Sequence, residues 1–371
     1  MKFSSRGRIN GWMGVVASAL LMGACGLPDE RVGEVPVEGA TAKDTTAGDV
    51  TVKLSVPSQL LSASEDVRVT VTLTNVTHDT VRLLKWQTPV DGIEADLFVV
   101  TVDGEPVEYQ GRLYKRAPPQ AGDYLSLSAG ESVSYTVDLA SAYDFSRTGN
   151  YSLRYGADVQ DFTGEAEGVS ALRSDSLSVF VEGRPFREPV VEDGAGTVSS
   201  LALSTANCNA TRTAQATQAF NNARSMSTSA VNWLNAYPPP PQRRRFTTWF
   251  GPQTAGAHST IRSHFNAIKS AFDTKPVIID CGCTQNVYAY VYKNRPYRIF
   301  VCNAFWSAPP TGTDSKAGTL IHEMSHFTVV ADTDDHAYGQ AACKALASSN
   351  PAAARDNADS HEYFAENTPP L

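Results

Sequence analysis

In the first half of the chain apolar and polar positions alternate with a period of two. Val50-Thr51-Val52-Lys53-Leu54-Ser55-Val56, Val67-Arg68-Val69-Thr70-Val71-Thr72-Leu73 and Asn150-Tyr151-Ser152-Leu153-Arg154-Tyr155 each put their apolar side chains on one face of a strand. Around seven such runs lie between residues 49 and 183, parted by turn residues, and Asp103-Gly104 is a hairpin signal. Short alternating strands of this kind predict an all-β, immunoglobulin-like sandwich. From residue 207 the period changes. Ala210 to Leu234, closed by the Pro238–Pro241 run, and Ala255 to Phe272 read as helices, while Val287–Tyr292 and Tyr297–Val301 alternate as a hairpin. Residues 207–371 are thus expected to form a second, α+β and mainly helical domain, long enough to bury its own core. Between the two, residues 184–206 are rich in Val, Glu, Gly and Ser and read as a linker and processing region.

The helical period continues through the most informative stretch. Pro309-Pro310-Thr311-Gly312 is a breaker, and Thr313, Asp314 or Ser315 can cap a helix beginning just after it. Ala317, Leu320, Ile321, Met324 and Phe327 then form one buried stripe, which leaves His322 and His326 together on another side with Glu323 on its flank. Two imidazoles four residues apart can hold one zinc ion, and the glutamate between them is placed to take a proton from water. A catalytic zinc needs a third protein ligand. Asp332, Asp334, Asp335 and His336 all stand in the acidic turn just downstream. Further on, Asn350-Pro351 is a helix start, and Ala352 to Glu366 reads as one helix. Asp356, Asp359 and Glu362, spaced by three, make an acidic stripe on it. Such a stripe is either a solvated face or, aimed into a cleft, a receptor for a cationic side chain.

With Asp335, Tyr338 and Gly339 following His322-Glu323-Met324-Ser325-His326, the chain resembles the aspzincins, the deuterolysin and peptidyl-Lys metalloendopeptidase family of zinc proteases. The likeness runs from about Asn207 to Leu371 and takes in Phe246-Thr247-Thr248-Trp249-Phe250-Gly251, Ala304-Phe305-Trp306, Ala317-Gly318-Thr319-Leu320 and Asn357 to Phe364. It implies a zincin-type metalloprotease domain with one zinc ion held by His322, His326 and Asp335. It implies Glu323 as general base and Tyr338 as hydrogen-bond donor to the oxyanion. It is nearest to the peptidyl-Lys branch, which cleaves on the amino side of lysine. There two acidic residues, here Asp359 and Glu362, receive the lysine ammonium; Asp356 stays a surface residue. One position departs from the family: Asp332 stands where a glycine is expected. The resemblance also implies the disulfides Cys208–Cys281 and Cys283–Cys302, and suggests a propeptide-like role for the β-unit, removed on maturation.

Composition and termini set the compartment. Lys2, Arg6 and Arg8 precede an apolar run, Trp12 to Ala24, that ends in Leu21-Met22-Gly23-Ala24-Cys25. This reads as a lipoprotein signal peptide over residues 1–25, with Cys25 the lipidation site, followed by a flexible tether over 26–48. An exported protein, lipid-anchored to the cell envelope, is therefore expected. Its protease domain would be released if the linker is cut. In an oxidising compartment Cys208, Cys281, Cys283 and Cys302 read as disulfide-bonded, and Gly282 lets its two neighbours aim at different partners. Cys343 lies in an apolar helical run and reads as a buried free thiol. The net charge of −8 and the lack of a nucleic-acid motif exclude a nucleic-acid partner, so Arg243-Arg244-Arg245 reads as a solvated loop. His258, His264 and His361 have no ligand spacing; His361 is a candidate to line the cleft. Protein or peptide substrates and a monomeric state are expected. Two other readings stay open: a broader deuterolysin-like protease, and a surface binding lipoprotein whose protease domain is inactive.

Overall fold

A computed structural model describes residues 49–157, 172–186, 197–198 and 203–371. The predicted leader, Cys25 and the tether lie outside them. The described residues all belong to one compact unit.

The β-rich half follows its alternation. Along Val50–Ser55 every second residue is buried, and Arg68–Asn75 does the same in the neighbouring strand. These two and Ser132–Asp138 make one antiparallel sheet of three. A larger sheet runs in the order Leu60–Leu61, Leu177–Val181, Gly149–Ala157, Phe98–Val102 and Glu105–Val107. Its Phe98–Val102 and Glu105–Val107 strands form the predicted hairpin, with Asp103 and Gly104 at φ 51° and 87°, as a two-residue turn of this type needs.

The C-terminal half is helical around a second sheet. Ala210–Ala236 and Ala255–Thr274 are the two long helices, capped by the Asn209 and Thr254 side chains. The sheet has the order Thr197–Val198, Leu203–Ala206, Val277–Asp280, Arg298–Val301, Ala289–Tyr292 and Arg112–Lys115. Two features of it differ from expectation. Leu203–Ala206, expected in the linker, pairs in parallel with Val277–Asp280, so the protease sheet begins before residue 207. Arg112–Lys115 comes from the β-rich half, more than 170 residues upstream of its partner strand. It closes the sheet edge by antiparallel pairing with Ala289–Tyr292.

The motif helix is Lys316–His326, fully buried along its length, with the Ser315 hydroxyl accepting the Gly318 N–H at 2.9 Å. Gly318 allows a close helix approach: a Cβ there would fall 2.2 Å from Glu366 Oε1 and 2.8 Å from Glu362 Oε1. The predicted single helix Ala352–Glu366 is two, Pro351–Asp356 and Ala358–Glu366. Asn357 interrupts it, because its buried side chain is committed elsewhere. Its Oδ1 accepts the N–H groups of His336 and Ala337, each at 2.9 Å. Asp356 therefore leaves the stripe of Asp359 and Glu362 and instead pairs with His336 at 2.8 Å.

Arg245 also differs from its predicted place. It is buried and donates to the Phe364 carbonyl at 2.6 and 3.0 Å, with its guanidinium over Trp233 and Phe364. The exposed end of the three-arginine cluster is thus a helix start and its third member a core strut. Cys208–Cys281 and Cys283–Cys302 are disulfide-bonded, and Cys343 is a buried free thiol.

Candidate active site

Helical spacing brings His322 and His326 together, with their Nε2 atoms 3.1 Å apart. The turn after the helix carries Asp335 to them: its Oδ1 lies 3.3 Å from His322 Nε2 and 3.5 Å from His326 Nε2. The other acids of that turn face away. Asp332 and Asp334 pair with Lys293 at 3.0 and 3.1 Å, and His336 with Asp356. Asp332 takes φ 56°, the left-handed conformation a glycine would adopt freely, and its ion pair with Lys293 accompanies that backbone.

Donor geometry suits one tetrahedral zinc ion. Ligands at 2.0–2.1 Å from such an ion stand about 3.3–3.4 Å apart. The three edges here, 3.1, 3.3 and 3.5 Å, bracket that value. Ring tautomers agree. His326 Nδ1 is 2.8 Å from the Thr333 carbonyl, which can only accept, and His322 Nδ1 is 2.7 Å from Asp359 Oδ1. Both Nδ1 atoms therefore carry the proton, and the Nε2 lone pairs converge at a distance where two acceptors repel unless a cation lies between them.

Glu323 is wholly buried, and desolvation pushes its carboxyl up to about 8. Its Oε1 accepts the Lys115 N–H at 3.2 Å. The Tyr338 hydroxyl donates to the Tyr114 carbonyl at 2.7 Å. One peptide bond, Tyr114–Lys115, thus spans the two groups. Its lysine side chain enters a pocket of acids: Lys115 Nζ is 2.7 Å from Glu362 Oε2, 3.0 Å from Asp359 Oδ1 and 3.8 Å from Asp314 Oδ1. Lys115 is completely buried. Burial disfavours its charge, yet Asp359, Glu362 and Asp314 together raise its ammonium well above the ordinary value. Burial likewise opposes ionisation of Asp359, which Lys115 and the His322 N–H bond nevertheless hold low. Glu362, buried beside other carboxylates, is pushed up.

Every residue singled out by sequence for this site, His322, Glu323, His326, Asp335, Tyr338, Asp359 and Glu362, lies in this one cluster. His361 does not line it; it stacks on His264 and packs against Phe250 and Phe265. The β-unit supplies the strand that fills the cleft. Sequence reasoning missed Lys115, Asp314 and the second bond of Asp359 to His322.

The family profile described as lysine-specific metallo-endopeptidase matches residues 239–366. Over 314 residues the chain is 42% identical to an extracellular protease of Aeromonas hydrophila, covering 83% of this chain and 90% of that one. It is 33% identical over 341 residues to a peptidyl-Lys metalloendopeptidase of Grifola frondosa, covering 86% and 93%. Among solved structures, a zinc peptidase from Grifola frondosa shares 43% identity over 44% of this chain and 99% of its own, with a TM-score of 0.42. The protein is a zinc metalloendopeptidase. Within that class the chain belongs to the aspzincin family.

Proposed function

We propose that this enzyme hydrolyses peptide bonds on the amino side of lysine and that its N-terminal half is a propeptide occupying the cleft. One observation carries the reading. The Tyr114–Lys115 bond lies between Tyr338 and Glu323 while the lysine ammonium sits between Asp359 and Glu362. A substrate bond Xaa–Lys laid in the same register would meet the same four groups.

His322, His326 and Asp335 would hold one Zn2+, which when bound supplies Lewis acidity that makes water nucleophilic near neutral pH. The remaining work falls to the chain. Glu323, desolvated and positioned at the amide nitrogen, takes a proton from the attacking water and returns it to the departing lysine amine. Water oxygen joins the carbonyl carbon, the C–N bond breaks, and a carboxylate and a lysyl amine result. Tyr338 stabilises the charge that develops on the carbonyl oxygen, an interaction worth ~2–4 kcal/mol in comparable sites. Asp359 has two tasks: it orients His322 through Nδ1 and shares the ammonium with Glu362. A pocket of buried carboxylates favours a compact ammonium over a neutral side chain, which is the physical basis for lysine preference.

The N-terminal sheets, read as an immunoglobulin-like sandwich, then serve to present the Arg112–Lys115 strand. Two disulfides and a relative named for extracellular activity support export; anchoring through Cys25 remains part of this proposal. Digestion of a mixed peptide library by the zinc-loaded full chain carrying Lys115→Met tests the reading. Cuts confined to the amino side of lysine are expected, and scattered cuts would point to a broader deuterolysin-like protease. Glu323→Gln in that background should abolish cleavage while zinc is retained.

A further inference from the structure

Against the Arg112–Lys115 strand lies a second group of side chains that the reaction does not use. Tyr290 lies flat on Phe300, with ring centroids 4.6 Å apart and planes 5° from parallel, and Tyr292 meets both edge-on. These rings form a small apolar cluster apart from the main core. Tyr114 and Arg112 of the cleft-filling strand cover it. Antiparallel register sets Tyr114 opposite Tyr290 and Arg112 opposite Tyr292. Side-chain alternation puts these two residues on the ring side and sends Leu113 and Lys115 the other way. The Tyr114 and Tyr290 rings are 5.5 Å apart. The Arg112 guanidinium stands 4.8 Å over the Tyr290 ring, donates from Nε to the Tyr292 hydroxyl at 2.9 Å, and reaches the Tyr114 hydroxyl from Nη1 at 3.2 Å.

We propose that Tyr290, Tyr292 and Phe300 form a specificity ledge for the amino side of the cut bond. It takes an aromatic residue immediately before the scissile bond and a guanidinium two residues earlier. The inference rests on the reading of Tyr114–Lys115 as a substrate-like bond. If the strand lies where substrates lie, its other side chains mark their subsites too. The ledge has the chemistry for this. Tyr290 is fixed in place by stacking on Phe300, so an incoming ring meets a preorganised face, and a guanidinium finds both a ring and a hydroxyl acceptor. Once the strand leaves, the face of Tyr290 that it covers opens, and an exposed apolar surface of this kind marks a binding site. The preferred substrate is thus an extended segment of the form Arg-Xaa-Tyr-Lys, cut before the lysine.

The test uses the zinc-loaded full chain carrying Lys115→Met and two blocked hexapeptides, Arg-Leu-Tyr-Lys-Ser-Ala and Gly-Leu-Gly-Lys-Ser-Ala. The first should be cleaved with a kcat/KM at least tenfold higher. Tyr290→Leu should shrink the ratio to within twofold, and Tyr292→Phe should reduce only the arginine part. Equal kcat/KM for the two peptides overturns the ledge while leaving lysine specificity intact. Cleavage that persists when the peptide lysine is replaced by alanine overturns the lysine reading instead. The same tenfold ratio is expected in Kd for the Lys115→Met, Glu323→Gln full chain, read by fluorescence polarisation. Equal affinities, or no binding of either peptide, count against the ledge.

Discussion

Lys115 is the residue on which cleft occupancy turns, and Lys115→Met is the perturbation that measures it. Methionine keeps the length of the stem but leaves Asp359, Glu362 and the more distant Asp314 without a cation. Breaking a buried ion pair from one side costs ~3–5 kcal/mol. The acids can escape that cost only if the strand lifts and water enters, so most of it should appear as easier opening. At about 1.4 kcal/mol per tenfold, the open fraction rises by roughly two to three and a half orders of magnitude. Pairing with Ala289–Tyr292, the Tyr338 bond to the Tyr114 carbonyl and the Lys115 N–H bond to Glu323 all survive the change and keep opening from being complete. Hydrolysis of a fluorogenic lysyl peptide by the zinc-loaded full chain is the assay. An increase of about 10²-fold or more in kcat/KM over the parent chain is expected. Lys115→Arg, which keeps the charge, should fall between the two. A change below about threefold in a Lys115→Met chain that melts cooperatively and holds one zinc would refute the argument, since the ion pair would then contribute little to closure.

Three further outcomes can be read off the geometry. His326→Ala removes one of the three converging donors, and elemental analysis of the folded chain should find no stoichiometric zinc where the parent holds one. Burial raises Glu366 from 4.5 to about 7 although Ser315 donates to it, so the folded state keeps a proton that the unfolded state has released. Its contribution therefore falls as pH rises from 4.5 to 7 and is flat on either side, by at most ~3 kcal/mol; guanidinium midpoints taken across that window should drift less in Glu366→Gln. Asn357→Ala leaves the buried Ala337 N–H and the part-buried His336 N–H without their acceptor, at ~1–3 kcal/mol each, which chemical denaturation should register.

What could be read from the chain depended on whether a cause was local. His322, Glu323 and His326 were legible because helical geometry alone sets their relation, and the apolar stripe beside them announces the helix. Residue type alone did not separate Asp335 from Asp332, Asp334 and His336; only the family spacing to Tyr338 and Gly339 favoured it. Lys293, 41 residues upstream of Asp334, is what turns two of those acids aside. The break at Asn357 was invisible because propensity favours a continuous helix there, and the side-chain commitments that stop it come from residues 336 and 337. The strand Arg112–Lys115 shows the limit most clearly. Its four residues, Arg-Leu-Tyr-Lys, carry no strand pattern of their own, and nothing near them in sequence says that their partner lies beyond residue 288.

Both covalent cross-links lie within residues 208–302, and among the described residues none joins the two halves. While the backbone is intact, the strand that we propose to be inhibitory faces its cleft at the high effective concentration of a tethered partner. On the propeptide reading, a cut between the two halves would turn that embrace into an ordinary bimolecular equilibrium. From then on the volume into which the enzyme is shed, rather than any conformational signal, would govern how soon the cleft empties.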